Sequence, residues 1–405
     1  MKPIVRAGRM KPVHSDIRGP LFVEAMKRQK QGIDVLKLNT GNPATFGFGL
    51  PDSIKNALME HMQDGVGYCD FKGMPQARQA ICDYETSKGI KGITSDDVFI
   101  GNGVSEVVSF ALTPLLNDGD EVLVPSPSYS LWGNSVYLED GKPVFYTCDE
   151  QANWYPDIKD IRSKITDKTK AIVIINPNNP TGVLYPKELL LEIIQIARES
   201  GLLIFADEIY DRLVMDGKQH ISLASLTEDV PVITLNGLSK SHCLCGYRCG
   251  WMVISGPREL TEDYRQGIIQ LTSLRLCANT MAQIVIPAAL DDMETPASMI
   301  RPGGRIYEQR EATVRELEKI NGLSFVKNDA AFYVFPKLDV KKFNITNDKQ
   351  FAHDLLDATN ILLVPGSGFD WKDPDHFRIV MLPQADILSD AIRRMGTFLD
   401  GYKQK

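Results

Sequence analysis

Residues 232–240 read VITLNGLSK: an apolar, β-branched run breaks at a Gly/Ser turn and places Lys240 just beyond it. Eight residues on, Arg248 stands in GYRCGW (246–251). Two upstream runs have the same design. AIVIINPNNPTG (171–182) ends in amides, and LLIFADEIY (202–210) ends in a carboxylate and a phenol. Short apolar runs of this kind, bounded by Gly, Pro and Asn, read as buried strands.

Further such runs are DVFIGNG, EVLVPSPS, PVFYT and WMVIS, and from about 52 to 290 they alternate with helical stretches. This alternation predicts an α/β fold with a mostly parallel central sheet and helices on both faces. The polar groups collect at the C-terminal strand ends, where open α/β sheets bind ligands. Three regions are expected. Residues 1–51 form an N-terminal arm and part of a small domain, with a helix near 20–31 and a strand in VLKLNTGNP (35–43). Residues 52–290 form the large domain. Residues 291–405 form a small α+β domain with a long helix in GGRIYEQREATVRELEKI, strands in FYVFPKL and FRIVML, and a helix near 348–358.

At 405 residues the chain suits about two domains. Its net charge of −7 argues against general binding to nucleic acid or an anionic membrane surface. No apolar stretch reaches the length of a spanning helix, and MKPIVRAGRMKPVHSD lacks the apolar core of a signal peptide. A cytoplasmic location is therefore expected. The seven cysteines are odd in number and irregularly spaced, which fits reduced thiols. His242, Cys243, Cys245 and Cys249 lack a second pair at zinc spacing, so no metal is expected and packing beneath a cofactor is.

Each motif has a plain structural reading beside a chemical one. In GNGVSE (101–106), Ser105 and Glu106 open an apolar helix, where they satisfy the helix dipole or leave free N–H groups for a phosphate. Asn179 in NPNNPTG sits in a forced turn. Asp207 is a helix cap, or else a buried carboxylate that needs a cation. Lys240 and Arg248, each read alone, are surface residues in a turn. Read together, an amine, a carboxylate, a phenol, an amide and a guanidinium at neighbouring strand ends meet the needs of pyridoxal 5'-phosphate (PLP). A carboxylate facing the pyridinium keeps the ring an electron sink. A desolvated lysine with a cation nearby is an effective nucleophile and base.

NPNNPTG, ADEIY, GLSK and GYRCGW, in this order and spacing, resemble the fold-type I, class I and II PLP-dependent aminotransferases. SDIRGP (15–20), LNTGNPATFGF (38–48), GYCDFKG (67–73), IGNGVSE (100–106), INPNNPTG (175–182) and LRLCAN (274–279) resemble most the bacterial alanine (glutamate–pyruvate) transaminases. The resemblance implies the PLP-dependent transferase fold and transfer of an amino group from a small amino acid, alanine, to 2-oxoglutarate in ping-pong fashion. It also implies roles for individual residues. Lys240 is the Schiff-base lysine and proton shuttle, and Asp207 the partner of the pyridinium. Tyr210 and Asn179 contact the ring's 3' oxygen, and Tyr129 stacks on the ring. Ser105, Glu106, Ser239 and Arg248 form the phosphate cup. Tyr68 is given to the phosphate by the other subunit of a homodimer. Arg378 and Gly41 hold the substrate α-carboxylate, Asn179 also contacts the substrate, and Arg18 holds the distal carboxylate. Two positions depart from the pattern: Ser15 stands where an aromatic is usual, and Gly237 where many relatives have serine. An aminotransferase for aspartate, valine or another neutral or acidic amino acid remains an alternative, as does a β-eliminating lyase. A non-catalytic effector module is disfavoured by the complete lysine–aspartate–arginine set.

Overall fold

The computed structural model describes residues 2–405. Its centre is an eight-stranded sheet in the order Val98–Asn102, Cys249–Ser255, Val232–Gly237, Leu203–Asp207, Thr169–Ile175, Glu121–Ser126, Lys142–Asp149, Tyr155–Pro156. The five central strands, from Val232–Gly237 to Lys142–Asp149, run parallel. Cys249–Ser255 is antiparallel to both neighbours, and Tyr155–Pro156 closes the far edge antiparallel. The sheet is thus mixed and mostly parallel, as the alternating pattern predicts.

Glu121–Ser126, Leu203–Asp207 and Val232–Gly237 are buried along their whole length, and Thr169–Ile175 at every residue but Lys170, which is why they read as continuous apolar runs instead of alternating ones. Helices cover both faces. Lys187–Ser200 turns Leu189, Leu190, Ile193, Ile194 and Ala197 toward one core and ends at Gly201, whose φ of 66° closes the helix in the left-handed conformation. Val104–Leu112 packs Val107, Val108, Ala111 and Leu112 into the core on the other face.

A second core joins both ends of the chain. Ala385–Asp400 buries Leu388, Ala391, Ile392, Met395 and Leu399, a stripe at helical spacing. It packs with Leu317, Phe351, Leu355 and Phe377, and the N-terminal Leu38 enters the same cluster. Leu36–Lys37 pairs in parallel with Ile361–Leu362. The expected strand at 35–43 is therefore much shorter in the fold. After Leu38, whose carbonyl accepts from Val380 N at 3.1 Å, the chain leaves the ladder and turns at Thr40-Gly41 into a cleft. The expected helices are present as Pro20–Lys30, Arg305–Leu317 and Asp348–Thr359. No single helix is long and apolar enough to cross a membrane among the described residues.

Candidate active site

The C-terminal ends of the parallel strands open on a cleft of about 830 Å³ that also receives residues 14–18, Gly41 and Arg378. Each strand end delivers one group. Asp207 is the last residue of Leu203–Asp207, Lys240 follows Val232–Gly237 on a one-turn helix, and Arg248 precedes Cys249–Ser255. Tyr129 follows Glu121–Ser126, Asn179 follows Thr169–Ile175, and Ser105 begins the helix after Val98–Asn102.

Asp207 is buried, and its Oδ2 accepts from Trp132 Nε1 at 3.1 Å. No lysine, arginine or histidine reaches ion-pair distance of it among the described residues. Burial raises its carboxyl to about 6, against the pull of the Trp132 hydrogen bond. A buried carboxylate without a cation is costly, so the site is made for a cationic partner.

Lys240 Nζ donates to Gly41 O at 2.9 Å and lies 3.9 Å from Cys245 Sγ. Burial opposes its charge, yet Tyr333, Cys245 and Tyr129 outweigh burial and hold its pKa above the ordinary lysine value.

Arg248 extends over the start of Val104–Leu112. Its Nη2 donates to Ser105 Oγ at 3.0 Å and its Nη1 to Cys245 O at 3.0 Å. Gly103, with φ of 85°, lets it lie there, since a Cβ would collide with the guanidinium. A cation with no ion pair among the described residues, a hydroxyl and a helix N-terminus thus converge, which is a fitting cradle for a phosphate. Ser239 lines the same cleft.

Glu106 departs from its expected place in this cup. Its carboxylate accepts from Asn102 N at 2.7 Å and from Asn102 Nδ2 at 2.9 Å, and pairs with Arg275 Nη1 at 2.5 Å. Its own N–H is taken by Gly103 O at 3.1 Å. Glu106 therefore braces the strand-to-helix turn from behind. Gly237 has a steric explanation: a Cβ there would come within 2.5 Å of Cys249 O and 3.0 Å of Gly250 Cα, so a serine does not fit this backbone.

On the opposite wall Arg378 is fully buried. Its Nη1 donates to Asn179 Oδ1 at 3.1 Å, its Nη2 donates to Asn39 O, and its Nε is unpartnered. The guanidinium lies 4.6 Å from the Tyr333 ring centroid and 4.7 Å from that of Phe369. No carboxylate pairs with it among the described residues. A buried, flat, unneutralised guanidinium is suited to a bidentate carboxylate. Tyr210 donates to Tyr333 Oη at 3.0 Å, and burial keeps the Tyr210 phenol protonated. Arg18 lines the cleft mouth beside Ser15. Tyr68 is 83% exposed and lies outside this cleft.

Sequence reasoning missed three groups that complete the site: Trp132, Tyr333 and Asn39. Trp132 stands three residues after Tyr129 at helical spacing, a readable signal that both reach one site. Nothing local marks the other two, because their partners across the cleft, Tyr210 for Tyr333 and Arg378 for Asn39, lie 123 and 339 residues away.

The cysteines near Lys240 do not converge. Cys243 Sγ lies 3.9 Å from Met299 Sδ, Cys245 Sγ donates to Ser239 O, and Cys249 is buried in the core under Leu238. Glu208, Asp211 and His220 do gather as metal ligands would. Lys88 Nζ already fills that position, 2.7 Å from Glu208 and 3.2 Å from Asp211.

Known proteins agree with this geometry. Residues 33–392 match the family model of class I and II aminotransferases. The glutamate-pyruvate aminotransferase AlaA of Haemophilus influenzae is 50% identical over 404 residues, covering all of both chains. An aminotransferase structure from Escherichia coli superposes with a TM-score of 0.98 at 48% identity, again over all of both chains. The alanine aminotransferase of Pyrococcus furiosus gives a TM-score of 0.93 at 41% identity, over 98% of this chain and all of that one.

Proposed function

This chain belongs to the family of class I and II aminotransferases and uses PLP as its cofactor; on that premise we propose that it moves the amino group of alanine to 2-oxoglutarate, giving pyruvate and glutamate in two successive half-reactions. The observation that carries this reading is that the Lys240 amine, the uncompensated Asp207 carboxylate and the uncompensated Arg378 guanidinium face one cleft.

The residues present fit the cofactor. Asp207 would hold the protonated ring nitrogen, and Arg248, Ser105, Ser239 and the helix start would hold the phosphate. Tyr129 would lie against the ring. Bound PLP supplies an electron sink for the pair released at the substrate's Cα. Lys240 would take and return the proton at that Cα. Tyr210, kept protonated by burial, would turn its hydroxyl from Tyr333 to the ring's 3' oxygen. Asn179 turns its Oδ1 to Arg378, which leaves its Nδ2 free to donate to the same oxygen. Arg378 grips the α-carboxylate and so orients the Cα–H bond.

The substrate assignment rests on the cleft mouth and on the relatives' activity. Arg18 offers a second cation for the distal carboxylate of glutamate and 2-oxoglutarate, whereas alanine needs only Arg378. A homodimer with shared sites is part of the same proposal: the exposed Tyr68 phenol has no use in its own cleft and suits a neighbour's phosphate. The cytoplasm is its proposed place of work, in keeping with seven free thiols.

The test is a single-turnover experiment. Alanine without an acceptor should release one equivalent of pyruvate per site and no ammonia, and 2-oxoglutarate added next should be converted to glutamate. Continuous ammonia release from a β-substituted amino acid would point to a lyase instead. Borohydride reduction and peptide mapping should label Lys240, and a label on another lysine would overturn the assignment.

A further inference from the structure

The arm that carries Arg18 is anchored by a charge cluster drawn from three parts of the fold. His14 stands 3.0 Å from Asp370 Oδ1 through Nε2, and 3.5 Å from Asp16 Oδ2 through Nδ1. Both carboxylates are only 13% exposed. Asp370 follows the turn Gly366–Phe369, and its carbonyl accepts from Ser126 Oγ, at the C-terminal end of Glu121–Ser126, at 2.7 Å. Asp16 also meets Lys349 Nζ, from the helix Asp348–Thr359, at 3.2 Å. The His14 backbone is clasped by Asn134 of the helix Leu131–Leu138: Asn134 Oδ1 accepts from His14 N at 3.1 Å, and Asn134 Nδ2 donates to His14 O at 2.6 Å. Ile17 packs on the large core, and its carbonyl accepts from Asn39 Nδ2 at 2.7 Å.

We propose that His14 is a positioning residue that seats residues 14–18 across the cleft, so that Arg18 is held where a substrate's distal carboxylate arrives. This deepens the proposed function and rests on its reading of Arg18. Two nearly buried carboxylates demand a positive charge between them. An imidazolium is the group that answers both, with one N–H for each. Ser15, exposed and small, gives the arm no aromatic grip on the cleft, so the ionic clasp adds to the hold of Asn134, Asn39 and the packed Ile17.

The groups facing this cluster are Asp16 on the arm, Asp370 from the turn, Tyr137 from the helix beside Asn134, and Lys349. Hydrogen bonds to Asp16 and then Asp370 raise His14 to about 9. The clasp is therefore complete below the ordinary histidine value and is lost as pH rises through about 9.

The experiment is hydrogen–deuterium exchange of the peptide spanning residues 10–19 in the holoenzyme, for the wild type, His14→Gln and Asp370→Asn. His14→Gln keeps hydrogen-bonding capacity without charge, and Asp370→Asn removes charge from the other side. At pH 7.5 both variants should exchange faster in this peptide by about fivefold, the scale of one partly buried ion pair. KM for glutamate and 2-oxoglutarate should rise by roughly threefold to tenfold in both, with a smaller change in KM for alanine. Wild-type exchange, corrected for its intrinsic pH dependence, should step up near pH 9, and His14→Gln should show no step. Equal arm exchange in all three proteins would overturn the proposal. Faster exchange with no selective change in KM would overturn it too, because the arm would be seated without serving the distal carboxylate. A wild type that does not accept 2-oxoglutarate would sink the proposed function instead, and the exchange data would still report whether His14 holds the arm.

Discussion

Trp132 Nε1 donates to Asp207 Oδ2 at 3.1 Å, and it is the side-chain hydrogen bond that this buried carboxylate receives among the described residues. The indole neither gains nor loses a proton in the working range, so it supports the anion at every pH. With burial raising the carboxyl to about 6, Asp207 strains the protein until a cation meets it.

Asp207→Asn should therefore stabilise the cofactor-free protein and cripple the enzyme. The raised pKa means that wild-type stability is undiminished below the ordinary aspartate value and falls as pH rises through about 6. The difference between variant and wild type should grow over that window to roughly 3 kcal/mol and then level off. Denaturant unfolding of the cofactor-free proteins from pH 4 to 8 measures it, and a pH-independent difference would contradict the account. Turnover of the loaded variant should fall by about two to three decades. Trp132→Phe should raise the carboxyl further and weaken cofactor retention most on the acid side.

Arg378→Lys should raise KM for every substrate together. The guanidinium is buried, planar and without a carboxylate partner, and a lysine point charge cannot reproduce a bidentate grip. A lost charged contact is worth about 1.5–3 kcal/mol, or roughly one to two decades in affinity. Competitive inhibition by simple carboxylates gives the comparison without turnover. An effect confined to dicarboxylic substrates would show that another residue holds the α-carboxylate.

Tyr68 should act across the dimer. Hybrids of Tyr68→Phe and Lys240→Ala subunits should contain one site that has lost both groups and one that keeps both. Activity recovered on mixing, once hybrids are shown to form, supports the shared site. Hybrids no more active than their parents would place Tyr68 outside the chemistry.

Arg18→Ala should separate the substrates that Arg378→Lys does not. KM for glutamate and 2-oxoglutarate should rise by the equivalent of about 1.5–3 kcal/mol, while KM for alanine changes less. With Ser15 in place of an aromatic, the cleft mouth should also discriminate weakly between alanine and larger neutral amino acids. Steady-state constants over a substrate panel test both statements, and equal shifts on all substrates would reduce Arg18 to a tether for the arm.

By itself the sequence determined the sheet and the edge at which chemistry gathers. Buried strands must be apolar, they must end in turns, and the groups that follow those turns are local to them. Asp207, Lys240, Arg248, Asn179 and Tyr129 were legible for that reason, as was the family their order resembles. The tertiary structure decided what depends on segments far apart in the chain. Arg378 meets Asn179 across 199 residues and Asp207 meets Trp132 across 75. His14 meets Asp370 across 356. No local rule of propensity or spacing encodes such pairs, because they form only when separate elements are packed to fixed distances. The same packing turned Glu106 back to Arg275, left Gly237 no room for a side chain, and set phenols and a thiol around Lys240 that outweigh its burial.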